Sequence, residues 1–314
     1  MSGPSWRIIF FGTPSFALPI LQGLLKGPEE VVGVVTQPDR EKGRGRKIVI
    51  SPVKELALQN GLVLLQPEKV KEEAFQEAVA VLQPDLLAVV AYGQILPKSV
   101  LSIPRYGAVN VHASLLPRYR GAAPIAWAIL RGESVTGVTT MAMDEGMDTG
   151  DILLQEEVPI GHEMTCEILH DRLATLGARL LSKTLEKMKA GEIRPIPQDY
   201  SKATYAPPLK KEDGRIHWEK EAGEIDRQIR AFNPWPGAFT KWGDRFLKIF
   251  RGAIRERGSA GKPGEVVWVG SDFIQVETGK NSYLIEEVQL EGRKRMTVRE
   301  FLSGHSISVG TVFQ

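Results

Sequence analysis

The chain has 314 residues, 42% of them apolar and 25% charged, with a net charge of +2. That is enough apolar material for the cores of two domains, and it excludes a disordered or strongly polyelectrolyte chain. The single cysteine, Cys166, excludes an intrachain disulfide and a cysteine-based zinc cluster, fits a reducing cytoplasm, and reads as a small packing residue. No apolar run reaches membrane length and no signal-type segment opens the chain, so no membrane contact is expected.

Residues 7–12 are a short apolar run ended by Gly12, the pattern of a buried parallel strand. Thr13 and Pro14 then supply a capping hydroxyl and a first-turn proline for a helix over 15–26, and a second strand is predicted over 31–36. Strand, helix and strand make a βαβ unit. Gly12 stands without the other glycines of a dinucleotide fingerprint, so a dinucleotide site is rejected.

Residues 38–50 form a loop longer than a βα connection needs. It carries Arg40, Lys42, Arg44, Arg46 and Lys47 against Asp39 and Glu41, with Gly43 and Gly45 between the charges. So local a positive charge points to a local polyanionic partner.

Helices follow over 52–59 and 71–82, then a buried strand over 85–92 that ends in the turn 93–97. In the next strand Val109, Val111 and Ala113 alternate with Asn110 and His112. Side chains two apart share a face of a strand, so Asn110 and His112 stand side by side. Residues 114–117 and the basic turn Arg118–Arg120 come directly after, which makes this strand end a plausible catalytic edge. A helix over 122–131, strands over 138–143 and 152–160, and a long amphipathic helix over 164–190 complete the first part.

Between the last two strands lie Asp144, Asp148 and Asp151, with Gly146 and Gly150 to bend the loop. A carboxylate from this loop beside His112 would favour the charged imidazole. A cationic imidazole next to the Asn110 amide makes an oxyanion-stabilising pair, suited to attack of an amine on a carbonyl or formyl carbon. The chain has no HExxH, Walker A or GxSxG motif, so protein-bound metal, nucleotide hydrolysis and serine-hydrolase chemistry are not expected.

Pro195, Pro197, Pro207 and Pro208 mark residues 191–208 as a linker. Beyond it come a helix over 222–231 and a rigid turn over 232–237. Strands over 239–242, 246–254, 264–269, 273–277 and 282–288 then read as a small β-barrel or sandwich. The basic residues of 241–262, taken alone, read as a solubilising surface.

The segments 110–112, 114–124 and 147–151 together resemble the signature of the folate-dependent formyltransferases. Segments 36–39, 43–46, 90–93 and 232–236 are similar to the tRNA-directed branch of that family, along nearly the whole chain. The resemblance implies a Rossmann-like, parallel-sheet catalytic domain over 1–190, the linker over 191–208 and an OB-like β-barrel over 209–314 that binds tRNA. It implies formyl transfer from 10-formyltetrahydrofolate, a cosubstrate, to the α-amino group of methionyl initiator tRNA by a monomeric enzyme. By the same resemblance Asn110, His112 and Asp148 are catalytic. Ser114, Leu115, Leu116 and Pro117, with the backbone of Gln94, Ile95 and Leu96, border the folate. Arg40, Lys42, Arg44, Arg46 and Lys47 meet the tRNA, with Arg44 matching the residue that enters the acceptor-stem region. A small-amine formyltransferase would leave the basic loop without a role, and a non-catalytic RNA-binding protein would not need Asn110, His112 and Asp148 together.

Overall fold

The computed structural model describes residues 4–42, 47–256 and 261–314, with only the backbone at 41, 42, 47 and 48. It divides into two compact units. The first comprises 1–124, 135–159 and 170–207; the second comprises 125–134, 160–169 and 208–314.

The first unit is built on a seven-stranded sheet of β1 (Arg7–Gly12), β2 (Glu30–Val35), β5 (Leu64–Leu65), β6 (Leu86–Val90), β7 (Ala108–His112), β8 (Val135–Ala142) and β9 (Ile152–Pro159), in the order β5-β2-β1-β6-β7-β8-β9. The first five strands in that order run parallel; β8 and β9 are antiparallel additions at one edge. β1 is central because it is apolar on both faces, with Ile8, Ile9, Phe10 and Phe11 fully buried. After β1 the chain builds outward through β2 and β5, then returns to lay β6 and β7 on the other side. The crevice at the carboxyl ends of β1 and β6 is thus a topological switch point.

Three loops meet at that crevice: the Thr13 hydroxyl donates to the Tyr92 carbonyl and accepts from the Gln37 N–H, and the Gln37 amide donates to the same carbonyl. The predicted helix over 15–26 begins as a 3-10 turn (Ser15–Ala17) and continues as α1 (Leu18–Lys26). Helices α2 (Pro52–Gln59), α3 (Glu73–Val81) and α4 (Lys98–Leu101) occupy the connections between strands. The long helix α6 (Cys166–Lys189) follows α5 (Pro124–Leu130) in helix order. A Cβ added at Gly177 of α6 would touch Val111 and Ile20, so α6 lies against the Val111 face of β7 beside α1. The opposite face, which carries Asn110 and His112, is left for a loop.

The basic segment is a hairpin rather than a plain loop: β3 (Arg40–Lys42) pairs with β4 (Lys47–Val49), Lys42 opposite Lys47. Arg44 and Arg46 lie outside the described residues.

In the second unit α7 (Ala222–Ala231) accompanies an antiparallel sheet of β10 (Ala238–Trp242), β11 (Arg245–Arg255), β12 (Val266–Val269), β13 (Ile274–Glu277), β14 (Ser282–Leu290) and β15 (Met296–Thr297), followed by α8 (Val298–Leu302). Its ladders run β10-β11-β14-β13-β12. The last residues bridge the two ends of that path. Val266 N–H donates to the Thr311 carbonyl and Phe313 N–H to Gly264, while Lys241 and Gln314 exchange both backbone bonds. The sheet therefore closes on itself around Ile216, Trp218, Leu247, Ile249, Tyr283 and Phe301. Among the described residues no helix is long and apolar enough to cross a membrane.

Candidate active site

Asn110 and His112 are 8% and 6% exposed on β7, and each needs partners at that depth. The 143–151 loop supplies the main one. Because β8 runs antiparallel to β7, its end at Ala142 lies beside Val109, at the amino end of β7. The loop must fold back over the strand face to reach the two polar side chains. Gly150 permits this, since a Cβ there would run into the Ala142 carbonyl oxygen. Asp148 itself sits in the left-handed region (φ 55°), at a cost of about 1–2 kcal/mol for an L-residue.

Of the three candidate carboxylates, the structure brings Asp148 to the pair. Asp148 Oδ1 accepts from Asn110 Nδ2 at 3.3 Å and lies 3.6 Å from His112 Nδ1. Its other oxygen accepts from the Gly121 N–H at 2.8 Å. Asp144 turns back on its own loop, accepting from the Gly146 N–H and the Thr149 hydroxyl. The Asp151 carbonyl accepts from Ala142 N–H as part of the return into β9.

The imidazole is oriented from its far side. His112 Nε2 lies 2.9 Å from the Tyr119 carbonyl oxygen. A carbonyl can only accept, so Nε2 carries a proton, and Nδ1 is the nitrogen that gains or loses one. Protonated, Nδ1 faces the carboxylate as an ion pair; unprotonated, it would set its lone pair against a negative charge. Both ring nitrogens thus face protein oxygens, and Asn110 Nδ2 spends one of its two hydrogens on Asp148.

The folate candidates occupy the carboxyl ends of neighbouring parallel strands. Ser114 to Pro117 leave β7 and are tucked inward. The Ser114 hydroxyl donates to Arg118 O, Thr139 Oγ1 donates to Ser114 O, and Gln155 Nε2 donates to Leu116 O. Leu115 is half-buried and Leu116 buried. Gln94, Ile95 and Leu96 follow β6; Gln94 is pinned to the backbone of Glu68 and Val70, and Leu96 is buried. Ile95 is 63% exposed and Met147 49%, apolar surface a ligand would cover. Of the basic set, Arg40 is exposed, Lys42 and Lys47 lie on the β3–β4 hairpin, and Arg44 and Arg46 fall outside the described residues.

Sequence reasoning missed the support of this site. Residues 191–207, read as a linker, belong to the first unit and are stitched to the 117–123 turn. Arg120 N–H donates to Thr204 O, Ala206 N–H to Arg120 O, Ala123 N–H to Ala206 O, and Tyr119 N–H to the Thr204 hydroxyl. Gln198, 5% exposed, donates to the Asp148 and Gly150 carbonyls at 2.9 and 2.7 Å. The available signal was Arg120: a basic side chain between Tyr119 and Gly121 on the turn after β7, which, if buried, demands a distant polar partner.

The chain is similar to known proteins along nearly its whole length. Residues 6–185 match the formyl transferase family and residues 208–306 the formyl transferase C-terminal domain. The methionyl-tRNA formyltransferase of Trichlorobacter lovleyi is 52% identical over 307 residues, covering 98% of this chain and 96% of that protein. That of Citrifermentans bemidjiense is 50% identical over 304 residues, covering 97% and 95%. HypX from Aquifex aeolicus, solved in complex with tetrahydrofolic acid, superposes with a TM-score of 0.65 at 20% identity over 98% of this chain, which spans 50% of HypX. The length of the family match and the near-complete coverage of half-identical relatives settle the assignment: this chain belongs to the formyl transferase family.

Proposed function

We propose that the chain transfers the formyl group of 10-formyltetrahydrofolate to the α-amino group of methionyl initiator tRNA, giving N-formylmethionyl-tRNA for translation initiation in the cytoplasm. The observation that carries the reading is the Asp148 carboxylate between the Asn110 amide and the His112 imidazole. As the amine attacks the formyl carbon, negative charge grows on the formyl oxygen. Asn110 gives one amide hydrogen to Asp148 and the other to that oxygen, with the His112 imidazole close by. The amine must lose a proton and the departing folate nitrogen must gain one. Asp148 Oδ1 and His112 Nδ1 are the pair across which it moves.

In this reading the folate lies against Ser114–Pro117 and the Gln94–Leu96 backbone, at the ends of adjacent strands where open α/β sheets hold ligands. The basic set Arg40, Lys42, Arg44, Arg46 and Lys47, of which Arg40, Lys42 and Lys47 lie on the β3–β4 hairpin, and the barrel of residues 209–314 grip the tRNA. The half-identical relatives named for this acceptor support the choice of methionyl-tRNA over a small amine.

The test supplies 10-formyltetrahydrofolate with initiator methionyl-tRNA, elongator methionyl-tRNA, free methionine and amino sugars in parallel. Formylation of initiator methionyl-tRNA in preference to the others is expected. Transfer to the small amines alone would overturn the assignment.

A further inference from the structure

We propose that Gln198, fixed by the buried Arg120, is the positioning residue that holds Asp148 on His112; this rests on the catalytic reading above. Gln198 uses every hydrogen-bonding group of its side chain. Its two amide hydrogens go to the Asp148 and Gly150 carbonyls, at 2.9 and 2.7 Å, and so bracket the left-handed Asp148 and its neighbour Thr149. Its oxygen accepts from Arg120 Nε and Nη2, at 3.1 and 2.7 Å.

Arg120 is 1% exposed and makes no ion pair among the described residues. Its guanidinium meets the Gln198 oxygen and the Tyr200 ring, 4.7 Å away. A buried cation without a carboxylate is a poor contribution to stability. It does have a chemical effect on its neighbour. Two charge-assisted bonds polarise the Gln198 amide and make its N–H groups stronger donors toward the loop. The Asp148 loop arrives from the amino end of β7, with Asn110 and Gly121 holding only its carboxylate. Gln198 holds its backbone at Asp148 and Gly150. The side chain therefore acts on the reaction through Asp148, without touching a reacting atom.

Gln198→Glu separates this role from packing. The new carboxylate matches the amide in volume and pairs well with Arg120, but it sets an acceptor oxygen against the Asp148 and Gly150 carbonyls. We expect a folded protein with kcat lowered by about 10²-fold, the loss typical of an ångström-scale misplacement, and little change in KM for either substrate. The His112 imidazole resonances, followed by NMR in the substrate-free protein, should shift. In an Asp148→Asn background the same change should cost little more, because the two residues act as one unit. Wild-type kcat would overturn the proposal, as would equal losses in both backgrounds with unmoved His112 resonances. If Gln198→Glu does not fold, Gln198→Met removes the amide without a buried charge and is held to the same outcomes. Should the unaltered protein fail to formylate any amine, the catalytic reading falls, while the His112 resonances still test the Gln198–Asp148 link.

Discussion

Asp148→Asn isolates the charge of the site from its shape. The Gly121 N–H donates to Asp148 Oδ2 at 2.8 Å, so the oxygen of the new amide is held there, and its NH2 group takes the place of Oδ1. That NH2 group faces His112 Nδ1, where the structure has a carboxylate oxygen at 3.6 Å. It donates to the Nδ1 lone pair, while Nε2–H remains on the Tyr119 carbonyl, and the Asn110 amide, which donates to Oδ1 of the carboxylate, must turn over to offer its oxygen to the new NH2 group. Asparagine tolerates the left-handed backbone at this position, so the fold is retained. At 3.6 Å and an effective dielectric constant of about 20, the carboxylate and imidazolium attract by roughly 4–5 kcal/mol, an upper bound because both groups are desolvated. The share realised in the barrier should resemble loss of an oxyanion donor, about 2.7–4 kcal/mol or 10²–10³-fold in rate. Single-turnover formyl transfer across pH measures it, with tRNA binding and thermal melting as controls that should stay near wild type. A folded variant with full activity would remove Asp148 from the mechanism and return Asp144 or Asp151 to candidacy.

Gly150→Ala puts a Cβ on the Ala142 carbonyl, so it should displace the loop and lower kcat by about 10²-fold while folate affinity, measured by equilibrium binding, changes little. Burial pushes the Tyr92 hydroxyl up to about 12, above its ordinary value of 10.0. The folded state therefore keeps that proton longer than the unfolded chain, and stability should be whole below pH 10 and fall as pH rises toward 12. The same hydroxyl has no hydrogen-bond partner among the described residues, so Tyr92→Phe should raise stability by about 1 kcal/mol and flatten that alkaline loss, read from denaturant midpoints; a drop in stability would show that the hydroxyl is bonded. Arg44→Ala should cost about 1–3 kcal/mol of tRNA affinity and fall mainly on the initiator species, whereas a pure phosphate contact such as Lys47 should weaken all tRNAs alike and reduce the salt slope by about one. Equal losses for initiator and elongator methionyl-tRNA would make Arg44 a phosphate contact.

The strands were legible wherever burial on both faces wrote a continuous apolar run, as in β1, β6 and the period-2 pattern of β7. α7 falls on the residues its periodicity marks. The β3–β4 hairpin was missed because charge and glycine hide its alternation, and α8 and β15 are too short to carry a period. In the site, two polar residues on one strand face announced Asn110 and His112. The choice among Asp144, Asp148 and Asp151 was not local: one glycine-rich loop holds all three, and tertiary contact alone separates them. The Tyr119 carbonyl that orients His112 is backbone, and backbone acceptors leave no trace in a sequence.

The antiparallel edge explains why the rest of the site lies so far along the chain. A parallel neighbour would have delivered its following loop to the carboxyl end of β7, beside His112. β8 instead delivers the Asp148 loop to the amino end, and the loop must be drawn back across the strand and kept there. Its glycines allow that path but cannot hold it. The holding bonds come from Gly121, on the turn after β7, and from Gln198, in a proline-rich stretch whose composition reads as a connector. Composition reports how little a segment contributes to a core; it is silent on where the backbone bonds of that segment go. Residues 196–206 spend theirs on β9 and on the 117–123 turn, and the Gln198 side chain among them reaches the Asp148 loop, fifty positions back along the chain.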